Sequence, residues 1–204
     1  AKKTSSKKNS ATALLTYSEF TFTKTKDAFS VQEAEVKEVF FELRNDVIKM
    51  ALAQYLCELA YEFCEEDYES EEILRLFLNS LKTDKKTPSF IKAVTEFRLM
   101  TLSGYMPQLI GCDKCGEYET NVMGFDKESG KIYCENCAPA YSFKVPSSVI
   151  KAMRFVALSD FEKIFSFTLS DDNIKVFEYL TEDYLLNKTQ RKFKTLDFYN
   201  VIKE

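Results

Sequence analysis

Two pairs of cysteines limit what this chain can fold into more than any other feature it has. Cys112-Asp113-Lys114-Cys115-Gly116 and Cys134-Glu135-Asn136-Cys137 are C-x2-C knuckles separated by eighteen residues. Two residues between thiolates let one tight turn supply two corners of a tetrahedron, and Gly116 lets the backbone double back behind the first pair. Between the knuckles, Val122-Met123-Gly124-Phe125 and Lys131-Ile132-Tyr133 flank Asp126-Lys127-Glu128-Ser129-Gly130, which reads as a hairpin returning the second knuckle to the first. A thioredoxin-type redox site uses a single C-x-x-C at a helix N-terminus, so this arrangement points instead to a zinc ribbon occupying residues 110–140.

Four thiolates fill the coordination sphere of Zn2+ and leave no position for a catalytic water. Such a site contributes folding energy and hydrolyses nothing. The other two cysteines, Cys57 and Cys64, stand seven apart on a predicted helix and read as small core residues rather than ligands.

The rest of the composition narrows the chemistry further. Histidine is absent, which removes the commonest general base, every Ser-His or Cys-His pair and every His-containing metal site. There is no phosphate loop, nucleophile elbow or paired-carboxylate signature, so no enzyme is expected. No apolar run approaches the ~18 residues of a membrane span, and no signal-peptide pattern is present, so the chain reads as intracellular with reduced cysteines. Eighteen Phe and eleven Tyr against five Gly and four Pro favour long regular elements and a mainly helical body.

Residues 1–12 are polar and read as an exposed arm. Residues 13–26 are β-branched and aromatic, with Phe20 and Phe22 alternating against Thr21 and Thr23, and read as strand. Ser30 and Glu33 have capping-box spacing, and Val36, Val39, Phe40, Leu43, Val47 and Met50 recur at three and four residues, which predicts one long helix to about Phe63. The acidic run Glu65, Glu66, Asp67, Glu69, Glu71 and Glu72 reads as a turn and helix start. Further helices are predicted over 73–81, from Thr87-Pro88 to Gly104, from Pro146-Ser147-Ser148 onward, around 160–167, and around 172–187 with Ser170 or Asp171 as cap. A short apolar piece, 196–202, closes the chain. One strand pair's worth of β sequence is marginal by itself in water, so the N-terminal β unit reads as incomplete.

Charge is unevenly spread. The net charge is −4, yet the first thirty residues carry six lysines, Lys2, Lys3, Lys7, Lys8, Lys24 and Lys26, against Glu19 and Asp27. These lysines read either as a solvated arm or as a cationic sheet edge that tracks phosphates beside stacking aromatics at Tyr17, Phe20 and Phe22. Composition leaves both open.

The phrase Glu96-Phe97-Arg98-Leu99-Met100-Thr101-Leu102-Ser103-Gly104-Tyr105-Met106-Pro107, running into Cys112-Asp113-Lys114-Cys115-Gly116, resembles the RecO family of DNA repair proteins. Ala1 to Lys7 and the strand from Leu14 to Thr25 resemble the basic loop and later strands of that family's N-terminal OB-fold. Lys192 to Phe198 is similar to its closing segment. The resemblance implies an α+β, mainly α fold: a helical domain at 30–204 with an inserted four-cysteine zinc ribbon, preceded at 1–29 by part of an OB-fold β-barrel.

It also implies a recombination mediator that binds single- and double-stranded DNA and anneals strands. With RecR it would assist RecA loading on DNA coated by single-strand-binding protein, in the cytoplasm and near the nucleoid, with no membrane role. Lys2, Lys3, Lys7, Lys8, Lys24 and Lys26 are then the expected phosphate contacts. For Arg98 the expectation is a structural pairing with a carboxylate ahead of a partner contact. The competing expectation is a zinc-ribbon adaptor whose acidic helices bind proteins and whose β piece binds nothing.

Overall fold

The computed structural model describes residues 9–26, 28–64 and 70–203; Lys2, Lys3, Lys7, Lys8 and the acidic run from Glu65 to Glu69 lie outside them. In chain order the elements are β1 (Thr16–Lys24), β2 (Phe29–Val39), a 3-10 turn (Phe41–Asn45), α1 (Val47–Phe63), α2 (Glu71–Lys82) and α3 (Pro88–Leu102). There follow β3 (Val122–Asp126), β4 (Lys131–Cys134), β5 (Phe143–Pro146), α4 (Ser147–Leu158), α5 (Asp171–Thr189) and α6 (Lys194–Lys203). The α+β, mainly helical class is as expected, with short open sheets and no closed barrel among the described residues.

The centre of the helical body is α3. Thr87 Oγ1 accepts from the Phe90 amide and Pro88 takes the first turn, where its missing N–H costs nothing. From Phe90 to Phe97 every α3 residue is buried, so this helix touches neighbours all round: α2 on one flank, α4 and α5 on others. Phe97, Leu99 and Met100 are almost fully enclosed, each contributing about 1.5–3 kcal/mol of burial. Gly104, at φ +83°, ends the helix by turning the chain left-handed toward the cysteine module. At the far end α6 packs along α1, placing Tyr199 and Leu196 inside the core.

The long helix expected from Ser30 is not there. Residues 29–39 form β2, antiparallel to β1, with Thr16 facing Val39 and Lys24 facing Phe29. Glu, Lys and Ala give this stretch helical propensity. Among the described residues the backbone of β1 has no other partner, however, and pairing supplies a hydrogen-bonded ladder that a lone strand lacks. Glu19 stands directly opposite Glu35, a repulsive pairing, and Lys37 relieves it by bridging both carboxylates at 2.8 and 2.7 Å. Helix α1 starts instead at Val47, where Asp46 Oδ1 accepts from the amides of Ile48 and Lys49. The hairpin is moored to the body by Leu15 and Phe40 packing on Ala53, by a Lys82–Glu38 ion pair at 2.6 Å, and by Arg44 donating to the Leu14 carbonyl.

The segment 160–167 is a chain of turns rather than a helix. Lys163 and Ser166 amides donate three residues back, to Asp160 and Lys163. The ring of Phe167 sits 4.9 Å from that of Phe90 and 5.3 Å from that of Phe155, so side-chain burial fixes this path without an i to i−4 ladder. The last apolar piece is a helix, α6, and Ser170 is the cap of α5, its hydroxyl accepting from Asn173.

Candidate metal centre

The cysteine module leaves α3 and meets a three-stranded sheet of order β4-β3-β5. β3 and β4 form the hairpin expected between the knuckles; β5 is a third strand, missed because its alternation, Phe143-Lys144-Val145, is only three residues long before Pro146. The hairpin turn is built on Asp126, whose two oxygens accept from the Glu128 amide at 3.0 Å and the Ser129 hydroxyl at 2.6 Å. Burial acts against the Asp126 carboxylate, but these donors outweigh it and hold its pKa below the ordinary value.

Each knuckle is wrapped by its own amides. Gly116, at φ +77°, donates to the Cys112 carbonyl at 2.8 Å, and Cys112 donates to Glu117 at 2.8 Å, closing the first turn. Cys137 and Ala138 both donate to the Cys134 carbonyl, closing the second. The two are stitched together where Asp113 N donates to Ile132 O at 2.9 Å and Lys131 pairs with Asp113 at 3.0 Å. Gly124 admits the closest approach: a Cβ there would lie 2.5 Å from Ser142 Oγ and 2.8 Å from Ala138 Cβ, so only glycine lets β3 run under the second knuckle.

All four sulfurs, Cys112, Cys115, Cys134 and Cys137, lie within 4.8 Å of one another, and Cys115 Sγ is 3.6 Å from Cys134 Sγ. A tetrahedron of Zn–S bonds has edges of about 3.8 Å. The donor set is soft, closed and half sheltered: Cys112 and Cys134 are buried against Tyr133, while Cys115 is exposed. Burial would push the Cys112 thiol up, but the amides of Cys134, Cys115 and Lys114 aim at its sulfur and bring it down to about 6. Cys137 is pushed up to about 12 by the sulfurs of Cys134 and Cys115 beside it. Four thiolates this close repel one another, and a divalent cation among them is what lets all four ionise together. The residues therefore fit a metal ion of the zinc type.

Sequence reasoning missed what carries the first knuckle. Ser147, Lys151 and Arg154 lie on one face of α4, at spacings of four and three. Ser147 Oγ and Lys151 Nζ both reach Glu119 Oε1 at 2.7 Å. Arg154 donates to the carbonyls of Leu109 at 2.7 Å, Tyr118 at 2.8 Å and Ile110 at 3.4 Å, with its guanidinium 4.0 Å from the centre of the Tyr118 ring. Arg98 is structural, but its partners among the described residues are the Val156 and Ala157 carbonyls at the end of α4 and the Phe161 ring, not a carboxylate. Cys57 is exposed on α1 rather than in the core, and neither Cys57 nor Cys64 joins the cluster.

Of the six lysines read as phosphate contacts, Lys24 and Lys26 are within the described residues. Both are exposed at the hairpin tip, Lys24 with its Nζ 5.4 Å from the centre of the Phe29 ring. Phe22 and Phe29 are exposed beside them and meet edge to face at 6.4 Å. Among the described residues no helix is long and apolar enough to cross a membrane.

Residues 44–197 match the family model described as recombination protein O C terminal. The chain is 31% identical over 191 residues to the DNA repair protein RecO of Caldicellulosiruptor saccharolyticus, covering 93% of this chain and 78% of that one. It is 30% identical over 193 residues to the DNA repair protein RecO of Acetivibrio thermocellus, covering 92% and 76%. A family model that spans the helical body and the cysteine module, with relatives aligned along most of the chain, leads to one conclusion: this chain belongs to the RecO family of DNA repair proteins.

Proposed function

We propose that this protein is a non-enzymatic recombination mediator: it binds single- and double-stranded DNA, anneals complementary strands and, with RecR, assists RecA loading on DNA coated with single-strand-binding protein. The observation that carries this reading is the alignment with DNA repair proteins named RecO along 93% of the chain. In this reading the hairpin is part of an OB-fold whose cationic surface meets phosphate, and the helical body presents the metal module to protein partners. The β domain then takes in β2, which pairs with β1. The metal is Zn2+, held by Cys112, Cys115, Cys134 and Cys137 as a scaffold, and the protein works in the cytoplasm near the nucleoid.

Lys24 and Lys26, exposed beside Phe22 and Phe29, support a surface that combines phosphate contact with base stacking. Lys2, Lys3, Lys7 and Lys8 are assigned a role in phosphate contact as well. The test is a salt titration of single-stranded DNA binding. For every phosphate that the protein no longer neutralises, the slope of log K against log salt should flatten by about 0.7. Charge reversal of Lys24 and Lys26 is expected to flatten it by roughly twice that and to weaken all sequences alike. Affinity indifferent to salt would contradict the reading and favour the alternative, an adaptor in which the acidic helices bind proteins and the hairpin binds nothing.

A further inference from the structure

We infer that Arg154 is the positioning residue of the metal centre: it holds the first knuckle where Cys112 and Cys115 face Cys134 and Cys137. The inference rests on the four cysteines binding a metal ion, and goes beyond it by naming what sets their geometry from outside the ligand set.

The two knuckles are anchored differently. Cys134 ends strand β4, so the second knuckle is fixed by the sheet itself. The first lies in residues 108–121, an excursion with no helix or strand. It enters at Gln108, whose amide donates to Gly130 O at 2.8 Å, and leaves at Asn121, whose carbonyl accepts from the Ser147 amide at 3.0 Å. Between those points it is attached to the sheet by the Asp113 amide, the Asp113–Lys131 pair and, near its exit, the Thr120 hydroxyl donating to the Val122 carbonyl at 2.6 Å. Helix α4 supplies the attachment to the helical body: Ser147 and Lys151 hold Glu119 near the exit, while Arg154 alone of the three reaches both sides of the cysteines, at Leu109 and Ile110 before Cys112 and at Tyr118 after Cys115. One rigid guanidinium thus ties the entry and exit of the loop to a helix whose own residues Val149, Ile150 and Met153 are in the core.

The guanidinium is suited to this and an ammonium is not. A planar fork donates in several fixed directions at once while its face lies on Tyr118; a lysine has a single flexible nitrogen. Groups that orient metal ligands from behind, without touching the metal, change affinity by about 10–100-fold when removed. Without Arg154 the knuckle turn keeps its internal hydrogen bonds, so four sulfurs remain available, but the first pair is held against the second more loosely, through the contacts of Asp113 and Glu119.

The experiment compares the full chain with Arg154→Ala and Arg154→Lys, using Co2+ as a spectroscopic probe and a competing chelator to measure zinc affinity. Leu76→Ala, in the core of α2 and away from the module, serves as a control of matched thermal destabilisation. The expected result is a four-thiolate cobalt spectrum in all four proteins, with zinc affinity weakened about 10–100-fold in Arg154→Ala, less in Arg154→Lys, and unchanged in Leu76→Ala. Affinity in Arg154→Ala within twofold of the parent, or an equal loss in Leu76→Ala, would overturn the role of Arg154 while leaving the metal site standing. Absence of the four-thiolate spectrum in the parent chain itself would overturn the metal reading and this inference with it.

Discussion

The ammonium of Lys92 lies 2.8 Å from Oε1 of Glu96, one turn along α3, and neither side chain reaches solvent. Lys92 also touches Glu182 of α5 at 2.7 Å, while Glu96 accepts from Tyr55 on α1 at 2.7 Å and from Thr181 on α5 at 2.9 Å. Three helices are thus registered on one buried charge group. Desolvation opposes the charge on Lys92, but Glu96 and Glu182 outweigh it and raise its pKa, so its contribution is complete below the ordinary lysine range and lost only as pH climbs past the raised value.

Removing the cation alone should be costly. Lys92→Met leaves two carboxylates without their partner and is expected to destabilise the fold by about 3–5 kcal/mol in urea unfolding, whereas pairing it with Glu96→Leu should recover much of that loss. A single variant costing under about 1 kcal/mol would mean that the network contributes little.

Acid should find the hairpin turn of the cysteine module. The Asp126 pKa is depressed in the folded state, so its contribution is present above the ordinary aspartate range and disappears as pH falls below it. Asp126→Asn is expected to cost about 1–2 kcal/mol near neutrality and to flatten the acid limb of a melting-temperature profile. An unchanged acid limb would mean that Asp126 does not hold the turn through its charge.

Two glycines of the module should differ in why they resist substitution. At Gly124 a Cβ meets Ser142 and Ala138, an overpacking of about 1–3 kcal/mol. At Gly116 the surroundings are open and the penalty is the left-handed backbone, about 1–2 kcal/mol. Calorimetry on Gly124→Ala with Ser142→Ala should therefore show partial recovery, since one of the clashing groups is removed. The same Ser142→Ala change should do nothing for Gly116→Ala.

The cysteine module was legible because its signals are local: the knuckle spacing, the hairpin turn and Gly104 each fix structure within a few residues. Thr87-Pro88 and Ser170 declared their helices for the same reason. Strand β2 was not legible, since Glu33, Glu35, Lys37 and Glu38 carry helical propensity and only pairing with β1 overrides it. The turns of 160–167 are held by Phe161, Ile164 and Phe167 packing on distant helices, information no short window holds. Arg154 was invisible for a related reason: its partners are backbone carbonyls some forty residues away, which any sequence would offer.

The most direct measurement of whether the cysteine module is a metal scaffold is the metal content of the purified, tag-free chain by native mass spectrometry, followed by a melting curve with and without a strong chelator. One zinc per chain, lost on chelation together with a marked fall in melting temperature, is the predicted result. A metal-free chain whose melting is untouched by the chelator would contradict it.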